Sequence, residues 1–469
     1  MIKALFIKDI KLLLKDLKFQ IFFLILVALF ILSAISSSVT YKAQMAEFQK
    51  ISDAHQKTVQ NESSFRMMRM LSGTRYISVV DIPSPALLFS SYDNFHNWLT
   101  NGVMFYNPRF ESYGSTDTEA FHLNWNFILG ILSGFIMLIM SFEAISSEKR
   151  AGTFRLLSIH GFKRQAILWC KYLSNMLLYL IIIIPPALIS IIVFFALTGT
   201  WQMSYMMQFL LIILLSIPFA SFFVFLGIFI SMAKNYRNAI VMIVFIWLLF
   251  VIIIPQSANI FGKMISPIKT STEYSQLRSN AFSAEWNKWV EDHTQSVGGN
   301  QFLQDGLRAK AVYAADEKMN IVELQELDDN TRQLKAIENI ALLSPFTQFE
   351  KITEVIFNKG SYLVEHQQIT LKNTISQVRN LMLEQDSRDE TSLHLYYSWA
   401  AFDVGGLYDG TTFSNQRFEH PNLLFVTNTP TDDILNKTMK IILRLLPILL
   451  LNLLLIMGSV VKLERLDIR

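Results

Sequence analysis

The residues with the most chemistry to offer stand together between positions 143 and 164. They are Glu143, Glu148, Lys149, Arg150, Arg155, Lys163 and Arg164, with Gly152 and Thr153 ahead of an apolar set, Phe154, Leu156, Leu157 and Ile159. Acids and bases this close make charge-assisted contacts, worth about 1.5–3 kcal/mol each. Glu148 is expected to pair with a basic group on a partner, or with Arg150 or Arg155 nearby. Gly152 is expected to allow the turn after the charged cluster, where a side chain does not fit. A short helix with charged ends and an apolar face suits docking into a groove on a soluble protein. The same charges would equally serve a plain basic loop that only fixes topology.

Catalytic chemistry is absent from the sequence. There is no Gly-x-x-x-x-Gly-Lys-Ser/Thr loop to cradle phosphate, no His-Glu-x-x-His, no Cys-x-x-Cys and no Gly-x-Ser-x-Gly. His55, His96, His122, His293, His366, His394 and His420 lack metal-ligand spacing. The many carboxylates read as solvated helix faces. The chain is therefore expected to be no enzyme, with no catalytic residue and no cofactor or metal of its own. A net charge of +3 without a basic patch gives no reason to expect nucleic acid. The one cysteine, Cys170, has no intrachain partner, so the two large segments outside the apolar runs are expected to have no disulfide and to be held by packing alone.

The elements that must position this segment are membrane spans. Hydrophobic residues make up 52% of the 469 and are bunched into runs reaching the roughly 20 residues needed to cross a bilayer. The expected fold is an all-α polytopic membrane protein with six spans. An interfacial helix at 1–18 precedes spans at 19–37 and 124–142. The docking segment fills 143–172, three spans lie within 173–257, a last span covers 439–461, and a tail occupies 462–469. Leu5, Phe6, Ile10, Leu13, Leu14 and Leu17 recur at helical spacing among lysines, the pattern of a helix lying in the membrane interface. Lysines and arginines gather before the first span, after the second and fourth, and in the tail, which places both termini and residues 143–172 on the cytoplasmic side. Pro185, Pro186, Pro218 and Pro255 are expected to kink or end spans. Arg444 is expected to snorkel to the interface and Asn452 to hydrogen-bond a neighbouring helix.

Two segments, 38–123 and 258–438, then face outward. The first continues the helix of span one and breaks at Ile82-Pro83-Ser84-Pro85; Asn107-Pro108 and Tyr113-Gly114-Ser115 are further loop signals. The second is expected to be mostly helical: a helix over 281–293, an interruption at Gly298-Gly299, a long helix over 303–341 ended by Ser344-Pro345, and two more at 346–357 and 369–383. Residues 403–421 read as loop. This predicts a stalk-like helical domain with an irregular cap.

The stretch SFEAISSEKRAGTFRLLSIHGFKRQAILWCKYL resembles the signature of type-2 ABC exporter permeases. The matching positions are Glu143, Glu148, Lys149, Gly152, Thr153, Leu156, Leu157, Arg164 and Lys171; Ile159-His160-Gly161 replaces the family's Ser/Asn-Pro turn. DIPSPALLFS before span two and LLSPFTQFEKITEVI in the second outward segment are similar to the subfamily with two large external loops, which includes gliding-motility and copper-maturation permeases. The resemblance implies a transmembrane permease subunit of an exporter in the bacterial cytoplasmic (inner) membrane. A second permease copy or paralogue would pair with it, and separate ABC ATPase subunits carrying ATP and Mg would dock below, on residues 143–164 as coupling segment. The alternative is a mechanical transmitter, whose stalk drives an envelope or periplasmic partner without moving substrate through the bilayer.

Overall fold

A computed structural model of the chain describes residues 2–62, 77–80, 82–90, 96–100, 108–112, 123–233, 236–293, 301–388, 390, 418–427 and 434–465. The expected turns at 113–115 and 298–299, and all but the end of the expected loop at 403–421, lie outside the described residues.

Helix α1 (Ile2–Lys15) is followed by α2 (Leu17–Glu62), 46 residues long. The Asp16 carboxylate between them accepts from the Lys18 N–H at 3.0 Å, a cap on the new helix. Strands β1 (Ile77–Val80), β2 (His96–Thr100) and β3 (Pro108–Ser112) come next. A π-helical stretch (Asn126–Leu132) leads into α3 (Ser133–Ser141), then the short α4 (Ser146–Arg150) and α5 (Thr153–Ile159). Helices α6 (Arg164–Thr198) and α7 (Met203–Ser231) run through Pro185, Pro186 and Pro218 without ending there. Helix α8 (Tyr236–Leu248) passes through a π turn into α9 (Ile254–Ile265) without a break, and Pro255, just after that turn, supplies no N–H to the carbonyls before it. Then follow α10 (Ser271–His293), α11 (Gln301–Ala341), α12 (Pro345–Phe357), α13 (Gly360–Arg388), strand β4 (Phe425–Thr427) and α14 (Ile434–Glu464).

Among the described residues, six helical stretches are long and apolar enough to cross a membrane: Leu17–Ala54, Asn126–Arg150, Arg164–Thr198, Met203–Ser231, Ala239–Ile265 and Ile434–Glu464. The fold is thus the six-span helical membrane protein that the hydropathy pattern predicts. The bundle interior is cross-tied. Trp125 Nε1 donates to Ser190 Oγ at 3.0 Å, that hydroxyl donates to the Phe30 carbonyl at 2.8 Å, and Trp125 packs edge-on to Phe30 and Phe209. Tyr179 Oη donates to Ser216 Oγ at 2.8 Å. Asn452 Nδ2 donates to the Pro218 carbonyl at 2.9 Å, the interhelical bond its position predicts.

Helix α1 and the last turn of α14 lie at one end of the bundle, here the near end; the other is the far end. Beyond the far end α10 and α11 form an antiparallel stalk, tied by Tyr274–Asp329 and Arg278–Glu326. The cap is more regular than the sequence suggests. Strands β3-β2-β1-β4 form one sheet, antiparallel except for the parallel β1–β4 pair, so both outward segments contribute to it. Strands of three to five residues are too short for alternation to be read reliably, and Pro108 sits at a strand's first residue, where proline is tolerated.

One outward element is not outward. Ser344 and Pro345 turn the chain at the base of α11, and α12 runs back between the spans. Ser344 Oγ caps it by accepting from the Thr347 N–H at 3.3 Å, and donates to the Phe250 carbonyl of the π turn between α8 and α9. Phe349 stacks on Phe219, roughly 24 Å along α7 from Met203 at 1.5 Å per residue. Phe357 packs on Phe209, nearer the far end. Gly130 makes room for the Phe346 ring: a Cβ there would lie 2.5 Å from it. Phe89 packs on Phe349 and Phe357, so the two Ser-Pro stretches meet.

Candidate functional site

Segment 143–164 lies at the near end and is split by Gly152 and Gly161, both at left-handed φ (+71° and +81°); Gly152 makes the expected turn, but the space around it is open, so the backbone angle and not crowding is what favours glycine. Helix α4 ends at the first glycine and α5 at the turn containing the second. Glu148 is buried and does not face Arg150, Arg155 or a docking surface. Its Oε1 accepts from Lys171 Nζ at 2.8 Å, and its other oxygen accepts from Thr153 Oγ1. The expectation of a pair with Arg150 or Arg155 fails for a geometric reason. Positions two apart on a helix do not face each other, and Gly152 turns Arg155 away. Lys171, on α6, also donates to Asp9 Oδ1 of α1 at 2.9 Å.

Asp9, Lys171 and Glu148 thus form a buried acid–base–acid bridge joining α1, α6 and α4. Their side chains are only 4%, 9% and 11% exposed. Burial pushes the Asp9 carboxyl above its ordinary value, outweighing the pull of Lys171. Asp9 Oδ2 has no hydrogen-bond partner, in keeping with that cost.

The remaining predicted residues divide into anchors and exposed groups. Glu143 receives Lys18 Nζ at 3.1 Å, at the start of α2. Arg164 donates to the carbonyls of Leu463 and Glu464 at 3.1 and 2.7 Å, holding the end of α14. The Ile145 N–H donates to Ser231 Oγ at 3.1 Å, joining the end of α7. Phe154 is buried among the core side chains and Leu157 is half-buried. Thr153 is spent on Glu148, and Lys149 is half-buried. Left facing out are Arg150, Gly152, Arg155, Leu156, Ile159 and Lys163, with Leu156 at 55% and Ile159 at 71% exposure. Sequence reasoning placed Lys171 in the motif but gave it no role, and missed Asp9. The available signal was an acid at the fourth-residue spacing of a helix otherwise studded with lysine.

The near end of the bundle is thus a platform assembled from five spanning helices and α1, with basic and apolar side chains presented outward. The chain belongs to the family described as ABC-2 family transporter protein, whose model matches residues 3–374. Members are transmembrane permeases that work with an ABC ATPase and are not generally the ATPase themselves. Among curated proteins none matches.

Proposed function

We propose that this chain couples ATP hydrolysis on a separate ABC ATPase to outward transport, with Leu156, Ile159, Arg150, Arg155 and Lys163 as the docking face. The observation that carries the reading is the division of labour within one short segment. Glu148 and Phe154 hold it to the bundle, while two large apolar side chains stand exposed among bases. An apolar core rimmed by charge is the composition of a protein interface. On this reading ATP and its Mg sit on the partner, both termini are cytoplasmic, the membrane is the bacterial inner membrane, and a second permease copy or paralogue completes the pore.

The stalk favours the mechanical alternative, in which ATP-driven motion reaches an envelope partner. Helices of 23 and 41 residues project from the bundle, far more structure than a connection between spans needs. The test of coupling is Leu156→Asp with Ile159→Asp, co-expressed with the ATPase. The variant is expected to stay folded and lose the ATPase on purification. Retention of the ATPase with wild-type turnover would refute the docking face.

A further inference from the structure

A second ionic cluster lies at the far side of the bundle, where no part of the coupling reading requires one. Arg444, inside α14, donates through Nη1 to the Lys351 carbonyl at 3.2 Å and through Nη2 to Glu338 Oε2 at 3.3 Å. This corrects the expectation that it snorkels. Lys351 Nζ reaches Glu338 at 3.4 Å and Glu354 at 2.9 Å, and Ser361 Oγ lies within hydrogen-bond distance of both acids, 2.8 Å from Glu338 and 2.6 Å from Glu354. Glu338 is three residues from the end of α11, the descending arm of the stalk. Lys351 and Glu354 belong to α12, Ser361 to α13 and Arg444 to the last span. One turn before Glu354 on α12, Glu350 receives Asn126 Nδ2 at 3.0 Å from the second span.

Four elements of different character therefore converge on two cations and two anions whose side chains are 23% exposed or less. Paired charges at this depth are short-ranged and demand fixed geometry. Hydrophobic contacts let helices slide; a clasp of this kind makes them move together.

We propose that the Glu338–Lys351–Arg444 clasp is the positioning element that passes displacement of the last span to the α10–α11 stalk, through the wedge of α12. The stalk has two footings. One is α9, with Gln333 Nε2 donating to the Ser266 carbonyl at 2.8 Å; the other is the clasp. Motion of α14 relative to α9 tilts the stalk about the first footing. This inference rests on the ATP-coupled reading above and names the path by which that coupling leaves the membrane.

The test uses the complex purified with its ATPase, in a Cys170→Ser background with spin labels at Met203→Cys and Lys288→Cys, both exposed positions. In the wild-type chain, ATP with vanadate is expected to change the distance between the labels. Arg444→Met and Glu338→Gln should each keep ATPase binding and turnover and lose that change, and Arg444→Lys should restore part of it. Stalk motion persisting in both variants overturns the clasp, and so does a wild-type stalk that stays still during turnover. Turnover falling in step with the melting temperature points to a merely structural role and overturns it as well. A wild-type chain that recruits no ATPase sinks the parent reading instead, and this one with it.

Discussion

Removing Lys171 should injure this protein more than removing any exposed base of residues 143–164. Lys171 is the only cation in hydrogen-bonding contact with two buried carboxylates, Glu148 at 2.8 Å and Asp9 at 2.9 Å, among the described residues. Lys171→Met keeps the volume and the apolar stem but leaves both acids buried without that partner. Breaking a buried pair from one side costs about 3–5 kcal/mol. Two like charges then face each other, and uptake of a proton by one of them caps the penalty. Arg150→Ala, at an exposed position, should stay within about 0.5 kcal/mol. Read as thermal unfolding in detergent, Lys171→Met should fall by several degrees, on the order of 5–10 °C, while Arg150→Ala stays near wild type. The triple variant Asp9→Asn, Glu148→Gln, Lys171→Met buries no charge and should recover much of the loss. A Lys171→Met chain that melts with the wild type would refute the bridge. A triple variant no better than the single one would show that the damage is not electrostatic.

Two further outcomes are expected. Because burial raises the Asp9 pKa above 3.8, its favourable contribution is full below that value and is lost as pH rises through the higher folded-state value. The melting temperature of Asp9→Asn should therefore gain on wild type as pH climbs from acid to neutral, and a difference that does not vary with pH would contradict this. Cysteines at Lys163 and Lys288, probed on intact spheroplasts with an impermeant thiol reagent, should react only at 288; labelling at 163 would reverse the orientation read from the basic flanks.

The spans were legible because twenty apolar residues admit few other readings. Residues 143–164 stood out because their charges, Gly152 and Thr153 lie within a few positions of one another. What escaped the sequence depends on long-range geometry. Asp9 and Lys171 are separated by 162 residues, and nothing local says that α1 and α6 touch. Glu148 therefore looked like a partner-facing acid and turned out to be a buried strut, while Leu156 and Ile159 stand exposed. Helix α12 was legible as a helix but not in its place. Its apolar residues share one face and Glu350, Lys351 and Glu354 another, the pattern of an amphipathic surface helix, and thirteen residues rise only about 20 Å, short of a span. Arg444 was misread because a lone arginine in an apolar run gives no hint of Glu338, 106 residues earlier.

The position of α12 also fixes an order of events during synthesis. A helix this short, carrying Glu350, Lys351 and Glu354, has no means of spanning lipid by itself. It can enter only a slot whose walls already exist. Three of those walls, the second, fourth and fifth spans, precede it in the chain, but the fourth is α14, made some eighty residues later. Arg444 meets the bilayer at a cost of about 2.5–3.5 kcal/mol until Glu338 receives it. Insertion of the last span and seating of the wedge therefore wait for each other, and the chain closes in a single late step. Chains ending before Ile434 should leave α12 open to protease, and the full chain should shield it.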